Sequence, residues 1–196
     1  MRCIVVDVIG YNHAKKSVIL CAATTGTDIT QKKINIAFVA DPGQAKSLLL
    51  RNAVKLVSNS RFESGENSSG LSLTAIISSE EDGYFLRTGP IPAAKGAICA
   101  INELDKMSPD DQKHLLSVMQ EQFFTINKYG INSTILSPTA IIASANPIQG
   151  EWKDPEKIDL DEFPALKPLI DRFDITLPFR NKRDEQIIRE CAGSLN

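Results

Sequence analysis

Ile34-Asn35-Ile36-Ala37-Phe38-Val39-Ala40 runs directly into Asp41-Pro42-Gly43-Gln44-Ala45-Lys46-Ser47 and then into Leu48-Leu49-Leu50. The first part is near-continuously apolar, as a strand covered on both faces requires. The last part opens a helical pattern predicted over Lys46–Val57. A strand, a tight loop, Lys-Ser and a helix together form the setting of a phosphate cradle. Backbone N–H groups and a helix N-terminus meet a β-phosphate, a lysine reaches the β/γ oxygens, and a serine hydroxyl faces Mg²⁺. Lys46 and Ser47 hold those two chemical positions. The strict Gly-x-x-x-x-Gly-Lys-Ser/Thr spacing fails, because alanines stand at both outer glycine positions, Ala40 and Ala45. A plain strand-to-helix turn with a solvated lysine also answers this segment taken alone.

Three more apolar runs, Ala97–Ile101, Thr139–Ala145 and Asp174–Leu177, read as buried strands of a parallel sheet. A second helix is predicted over Pro109–Gln122, where Ser108 stands at the capping position and Pro109 at the first helical one. Alternating strands and helices predict an α/β fold. Two segments interrupt the alternation, Leu71–Ile91 and Phe123–Ser137. Their polar or glycine-bearing middles, Glu80-Glu81-Asp82-Gly83 and Asn127-Lys128-Tyr129-Gly130, predict inserted hairpins. The polar stretch Ser58–Ser72 reads as one strand flanked by loops.

The run Gly96-Ala97-Ile98-Cys99-Ala100-Ile101 ends in Asn102-Glu103-Leu104-Asp105. Ligands of open α/β sheets sit at the carboxyl ends of strands. A phosphoryl-transfer site wants two carboxylates there, one facing the metal and one activating water. Asn102 offers the metal an oxygen without charge, so weaker Mg²⁺ retention is expected, and Glu103 keeps the position of the general base.

Composition sets outer limits. The 196 residues, 42% apolar, suffice for one large domain. With 22 Lys+Arg against 24 Asp+Glu, the net charge of -2 gives no overall field for nucleic acid, so any DNA contact must be local. The four cysteines, Cys3, Cys21, Cys99 and Cys191, are too dispersed for a zinc site or a disulfide framework, and reduced thiols of an intracellular protein are expected. No apolar run approaches the ~20 residues of a membrane span. His13 and His114 have no partner pattern of a ligand or base, and Trp152 reads as a packing residue.

These segments together resemble the AAA+ core of the minichromosome maintenance (MCM) family. Ile9-Gly10-Tyr11-Asn12-His13-Ala14-Lys15-Lys16 is similar to the family's opening G-H-x-x-x-K-K, and Asp41–Ser47 to its phosphate loop, where an alanine normally precedes the lysine. Glu103-Leu104-Asp105-Lys106-Met107 resembles E-F-D-K-M, Ser144-Ala145-Asn146-Pro147 the sensor-1 strand, and Leu169-Ile170-Asp171-Arg172-Phe173-Asp174 the family's L-L-S-R-F-D. The predicted hairpins fall where the family carries a helix-2 insert and a pre-sensor-1 hairpin.

The resemblance implies an AAA+ P-loop NTPase core at residues 1–180, a parallel sheet flanked by helices. It also implies the start of a helical lid at 181–196, with a helix near Lys182–Cys191 and most of the lid absent from this chain, as is the N-terminal DNA-binding domain. The implied function is that of a DNA-replication helicase motor that hydrolyses Mg·ATP between subunits of a ring, hexameric in the complete protein. Asp41–Ser47 would cradle the phosphates, Ser47 and Asn102 face the metal, Glu103 activate water, and Asn146 sense it. Arg172 would act on a neighbour's ATP, and Lys128 touch DNA. An intracellular site is expected, cytoplasm or nucleoid, or the nucleus in a eukaryote. Departures at Ala40 and Asn102, with Pro138 in place of an arginine and Gln120-Glu121-Gln122 in place of E-Q-Q, leave open an ATPase-deficient MCM paralogue serving assembly. The hairpin inserts leave open a second alternative, a different AAA+ machine that shares them, a chelatase or MoxR-like chaperone.

Overall fold

The computed structural model describes residues 8, 10–28, 30–66, 73–80, 83–151, 153 and 159–179. The chain opens with helix α1 (Asn12–Ala23), strand β1 (Ile36–Ala40), helix α2 (Lys46–Leu56) and strand β2 (Arg61–Ser64). A hairpin of β3 (Ala75–Glu80) and β4 (Gly83–Thr88) follows, then a one-turn helix α3 (Pro90–Ala93) and strand β5 (Ile98–Asn102). Helix α4 (Pro109–Glu121), the hairpin β6 (Phe123–Lys128) and β7 (Ile131–Leu136), and strands β8 (Ala140–Ala145) and β9 (Ile175–Phe179) come next among the described residues. The predicted lid helix near Lys182–Cys191 and Trp152 lie outside the described residues.

Five strands form one parallel sheet in the order β2-β5-β8-β1-β9, with the two hairpins standing outside it. The three central strands are uninterruptedly apolar because alternate residues feed two cores. Ala37, Val39, Cys99, Ile101, Ile141 and Ala143 face one core with Leu115 and Val118 of α4. Ile36, Phe38, Ile98, Ala100, Ala140 and Ile142 face the other with Val18 of α1 and Leu49, Leu50 and Ala53 of α2. Every one of those sheet residues is at most 1% exposed. Each edge strand is only half-buried at most positions, and β9 carries Pro178, which an edge tolerates because one side of its backbone needs no ladder partner.

Predicted boundaries move at strand ends. Asn35 stays outside β1 because its side chain is a joint: its amide donates to Arg172 O at 3.2 Å and its oxygen accepts from Ile141 N at 2.9 Å. Strand β9 begins one residue later than predicted, since Asp174 accepts from Asn35 N through Oδ2 and pairs with Lys32 through Oδ1. Helix α1, which sequence patterning had not singled out, buries Ala14, Ser17, Val18 and Cys21. That stripe has helical spacing, but Ser17 interrupts its apolar signature, and its hydroxyl is satisfied by donating to His13 O at 3.0 Å.

Candidate functional site

The carboxyl ends of β1, β5 and β8 are adjacent in the sheet, and the loops leaving them surround one cleft of about 530 Å³. Its lining includes Gly43, Lys46, Ser47, Asn102, Glu103 and Asn146. The loop after β1 turns back through two left-handed residues, Gly43 (φ 82°) and Ala45 (φ 55°), the latter capping α2. Of the two glycine-position alanines, Ala45 bears the backbone strain. Ala40 bears none: it is the last residue of β1, fully buried, and its methyl belongs to the α1–α2 core. This departure therefore costs the cradle no space.

Lys46 is 6% exposed, and its ammonium donates to Ala40 O and Asp41 O, both at 2.7 Å. Burial pulls its pKa down to about 8, against the opposing pull of Asp105, Asp41 and Glu103. A buried cation resting on two carbonyls is poised to exchange them for phosphate oxygens. Beside it, Asn102 Oδ1 accepts from Ser47 Oγ at 2.7 Å and from Ser144 Oγ at 3.0 Å. Ser144 in turn accepts the Glu103 N–H at 3.1 Å. Among the described residues no cluster of three His, Cys, Asp or Glu could hold a metal by itself. The two neutral oxygens of Ser47 and Asn102 fit a divalent cation that arrives bound to phosphate.

Asn146 is held by its neighbour. Its backbone N–H donates to Asp105 Oδ1 at 2.8 Å, and its amide lies 3.4 Å from the same oxygen. Tyr11 reaches the cradle from the opening segment, donating to Gln44 Oε1 at 2.9 Å while its ring rests on Phe179 at 4.7 Å. Ser144, Asp105 and Tyr11 were not marked as site residues from the sequence. The sequence carries Asp105 and Tyr11 inside motifs with no role of their own, and Ser144 as a lone serine in the otherwise apolar run of β8.

Arg172 is not in this cleft. It closes a short 3-10 helix (Ile170–Arg172), is exposed, and donates to Gln120 Oε1 at 3.1 Å. Its carbonyl is tied to Asn35, which precedes β1, whereas the phosphate loop follows β1. Five strand residues at ~3.3 Å each put roughly 17 Å between those two ends. Arg172 therefore stands at the opposite end of the strands from Lys46. Lys128 is the last residue of β6, paired with Ile131 across the two-residue turn Tyr129-Gly130, both with positive φ. The two hairpins meet where Tyr84 stacks on Tyr129, with centroids 4.5 Å apart and planes 17° from parallel.

The buried pair Cys21 and Cys99 are free thiols, with burial pushing Cys21 up to about 12 and Cys99 higher, so neither is a nucleophile at neutral pH. Among the described residues no helix is long and apolar enough to cross a membrane.

The chain matches the family model described as "MCM P-loop domain" over residues 1–195. It is 32% identical over 173 residues to DNA replication licensing factor mcm4-A of Xenopus laevis, covering 87% of this chain and 20% of that protein. Against DNA replication licensing factor Mcm6 of Anopheles gambiae the identity is 31% over 177 residues (86% and 22%). Against DNA replication licensing factor mcm7 of Schizosaccharomyces pombe it is 36% over 144 residues (72% and 19%). The chain thus spans about a fifth of the length of these relatives. A phosphate loop, an Asn-Glu strand end and a sensor strand gathered at one end of a parallel sheet, in a chain that this model matches nearly throughout, mean that the protein belongs to the MCM family.

Proposed function

We propose that this chain is the ATP-binding and ATP-hydrolysing motor core of a DNA helicase that acts in replication. One observation carries the proposal: Lys46, Ser47, Glu103 and Asn146 converge on one cleft while Arg172 lies at the far end of the strands. Such a polarity suits a site completed between subunits, with Arg172 of one copy facing the ATP of the next. Residues 41–47 cradle the phosphates and Lys46 meets the β/γ oxygens. Ser47 and Asn102 hold Mg²⁺, which supplies charge neutralisation at the transferring phosphoryl group. Glu103 accepts a proton from water as it attacks the γ-phosphorus, the bond to the β–γ bridging oxygen breaks, and ADP departs. Asn146, oriented by Asp105, positions that water.

In the complete protein these cores form a ring, hexameric in our reading, whose hairpins move on DNA with Lys128 against the backbone. We place the core at residues 1–180 and the start of the lid at 181–196. The named relatives come from frog, mosquito and fission yeast, which supports a nuclear setting over cytoplasm or nucleoid. Family membership sets aside the chelatase and MoxR-like alternatives. A second reading, an ATPase-deficient paralogue acting in assembly, is favoured by Asn102 alone.

Mixing Lys46→Ala and Arg172→Ala proteins tests the shared site. Each variant alone has no turnover, and mixtures regain part of it, because an intact Lys46 from one copy meets an intact Arg172 from another. Mixtures as inactive as the separate variants would sink the shared-site reading.

A further inference from the structure

Glu103 adopts φ 58° and ψ 54°, a left-handed conformation that an L-residue with a long side chain enters at a cost of about 1 kcal/mol or more. Such a conformation persists only where neighbours over-determine it. Two neighbours do so here. From β8, Ser144 Oγ accepts the Glu103 N–H at 3.1 Å. From the end of β2, Gly65 donates to Asn102 O at 2.7 Å and lies flush against the next peptide group. A β-carbon on Gly65 would run into the Glu103 carbonyl oxygen and would also press on Met107 Cγ at 3.1 Å. The backbone of Gly65 is not left-handed, so its own conformation would accept alanine. Close approach to Glu103 and Met107, not a left-handed φ, is what calls for glycine at that position.

We infer that Gly65 is a positioning residue for hydrolysis: the missing side chain lets the end of β2 clamp the peptide of Glu103, and the clamp fixes where the carboxylate points. Glu103 leaves the sheet at a strand end, where no further ladder bond would hold it. A rotation of its peptide would swing the carboxylate by more than the ångström that separates productive from unproductive geometry. The inference rests on Glu103 as the water-activating carboxylate. It adds that the aim of this carboxylate is set from β2, a strand that supplies no group to the cleft lining.

Gly65→Ala in the full 196-residue chain tests it by two readouts, the Glu103 φ in a crystal structure and the hydrolysis rate alongside binding of a fluorescent ATP analogue. The expected result is that Glu103 leaves the positive-φ region. Hydrolysis then falls at least about tenfold, since a 1 Å misplacement can cost ~10²-fold, while analogue affinity stays within twofold. Glu103 retained at φ near 58° with hydrolysis unchanged would overturn the inference. The double variant Gly65→Ala/Met107→Ala relieves the side-chain clash only, and recovery of the parent rate in it would overturn the backbone clamp too. Should the parent chain not hydrolyse ATP, the reading of Glu103 fails while its φ in Gly65→Ala still decides the clamp. If Gly65→Ala does not fold, the double variant Gly65→Ala/Met107→Ala, which keeps the backbone clash and relieves the side-chain one, carries the same test; Glu103 still at φ near 58° in it would count against the clamp.

Discussion

Replacing Asn102 by aspartate probes the most consequential departure in the site. The two side chains have the same shape. The oxygen that accepts from Ser47 Oγ at 2.7 Å and Ser144 Oγ at 3.0 Å keeps both donors, which bind a carboxylate more strongly than an amide. What changes is one unit of charge where the proposed mechanism places a phosphate-bound cation. Two unit charges 4 Å apart in an effective dielectric of ~20 interact by about 4 kcal/mol, and a dication about doubles that. The hydration that the carboxylate and the cation give up when they meet offsets most of the gain. A net of about 2 to 3 kcal/mol remains, roughly 30- to 150-fold in affinity. The assay is titration of Mg²⁺ into the chain pre-bound to a fluorescent ATP analogue, with Ser47→Ala as the reference that removes the other oxygen. Asn102→Asp should shift the Mg²⁺ midpoint down by that factor and raise turnover. A midpoint within twofold of the parent would refute the placement of Asn102 at the metal, and a tighter midpoint without turnover would favour the assembly-subunit reading.

Three further predictions concern neighbouring groups. With the Lys46 pKa near 8 in the folded chain and an unfolded value near 10.5, the unfolded state binds the extra proton between those values. Stability of the nucleotide-free protein should therefore rise from pH 8 to 10.5, relative to a flat Lys46→Met variant in thermal melts, while ADP affinity falls over the same range. Asp105→Ala leaves the Asn146 N–H and amide without their acceptor, so turnover should drop about 10²-fold, as for loss of one oriented transition-state group, with nucleotide affinity held within a few-fold; an unchanged kcat would remove Asp105 from the sensor's support. Tyr84→Ala and Tyr129→Ala, compared in a double-mutant cycle by chemical unfolding, should show a coupling of about 0.5 kcal/mol, the low end for an aromatic pair because both rings are half-exposed. Strict additivity would mean that the hairpins meet without holding one another.

The amino-acid sequence alone determined whatever depends on a residue and its near neighbours. The unbroken apolar runs of β1, β5 and β8 announced strands covered on both faces. Lys46-Ser47 after a strand announced the phosphate loop, and Asn127–Gly130 announced a hairpin turn, because each is a local pattern with its own period or dihedral demand. Short polar joints escaped it: Asn35 and Asp174 read as strand residues by position, yet each spends its side chain on a partner far away in the chain. Tertiary structure alone decided the sheet order, and with it which polar groups share the cleft. It turned Ala40 from an apparent defect of the phosphate loop into a core methyl, and set Arg172 at the end of the strands opposite Lys46. It also drew Ser144, Asp105 and Gly65 onto the peptides of Glu103 and Asn146. No local pattern encodes these contacts, since they join residues about forty positions apart. They exist only once parallel pairing brings separate strand ends side by side and burial makes every unmet hydrogen bond there costly.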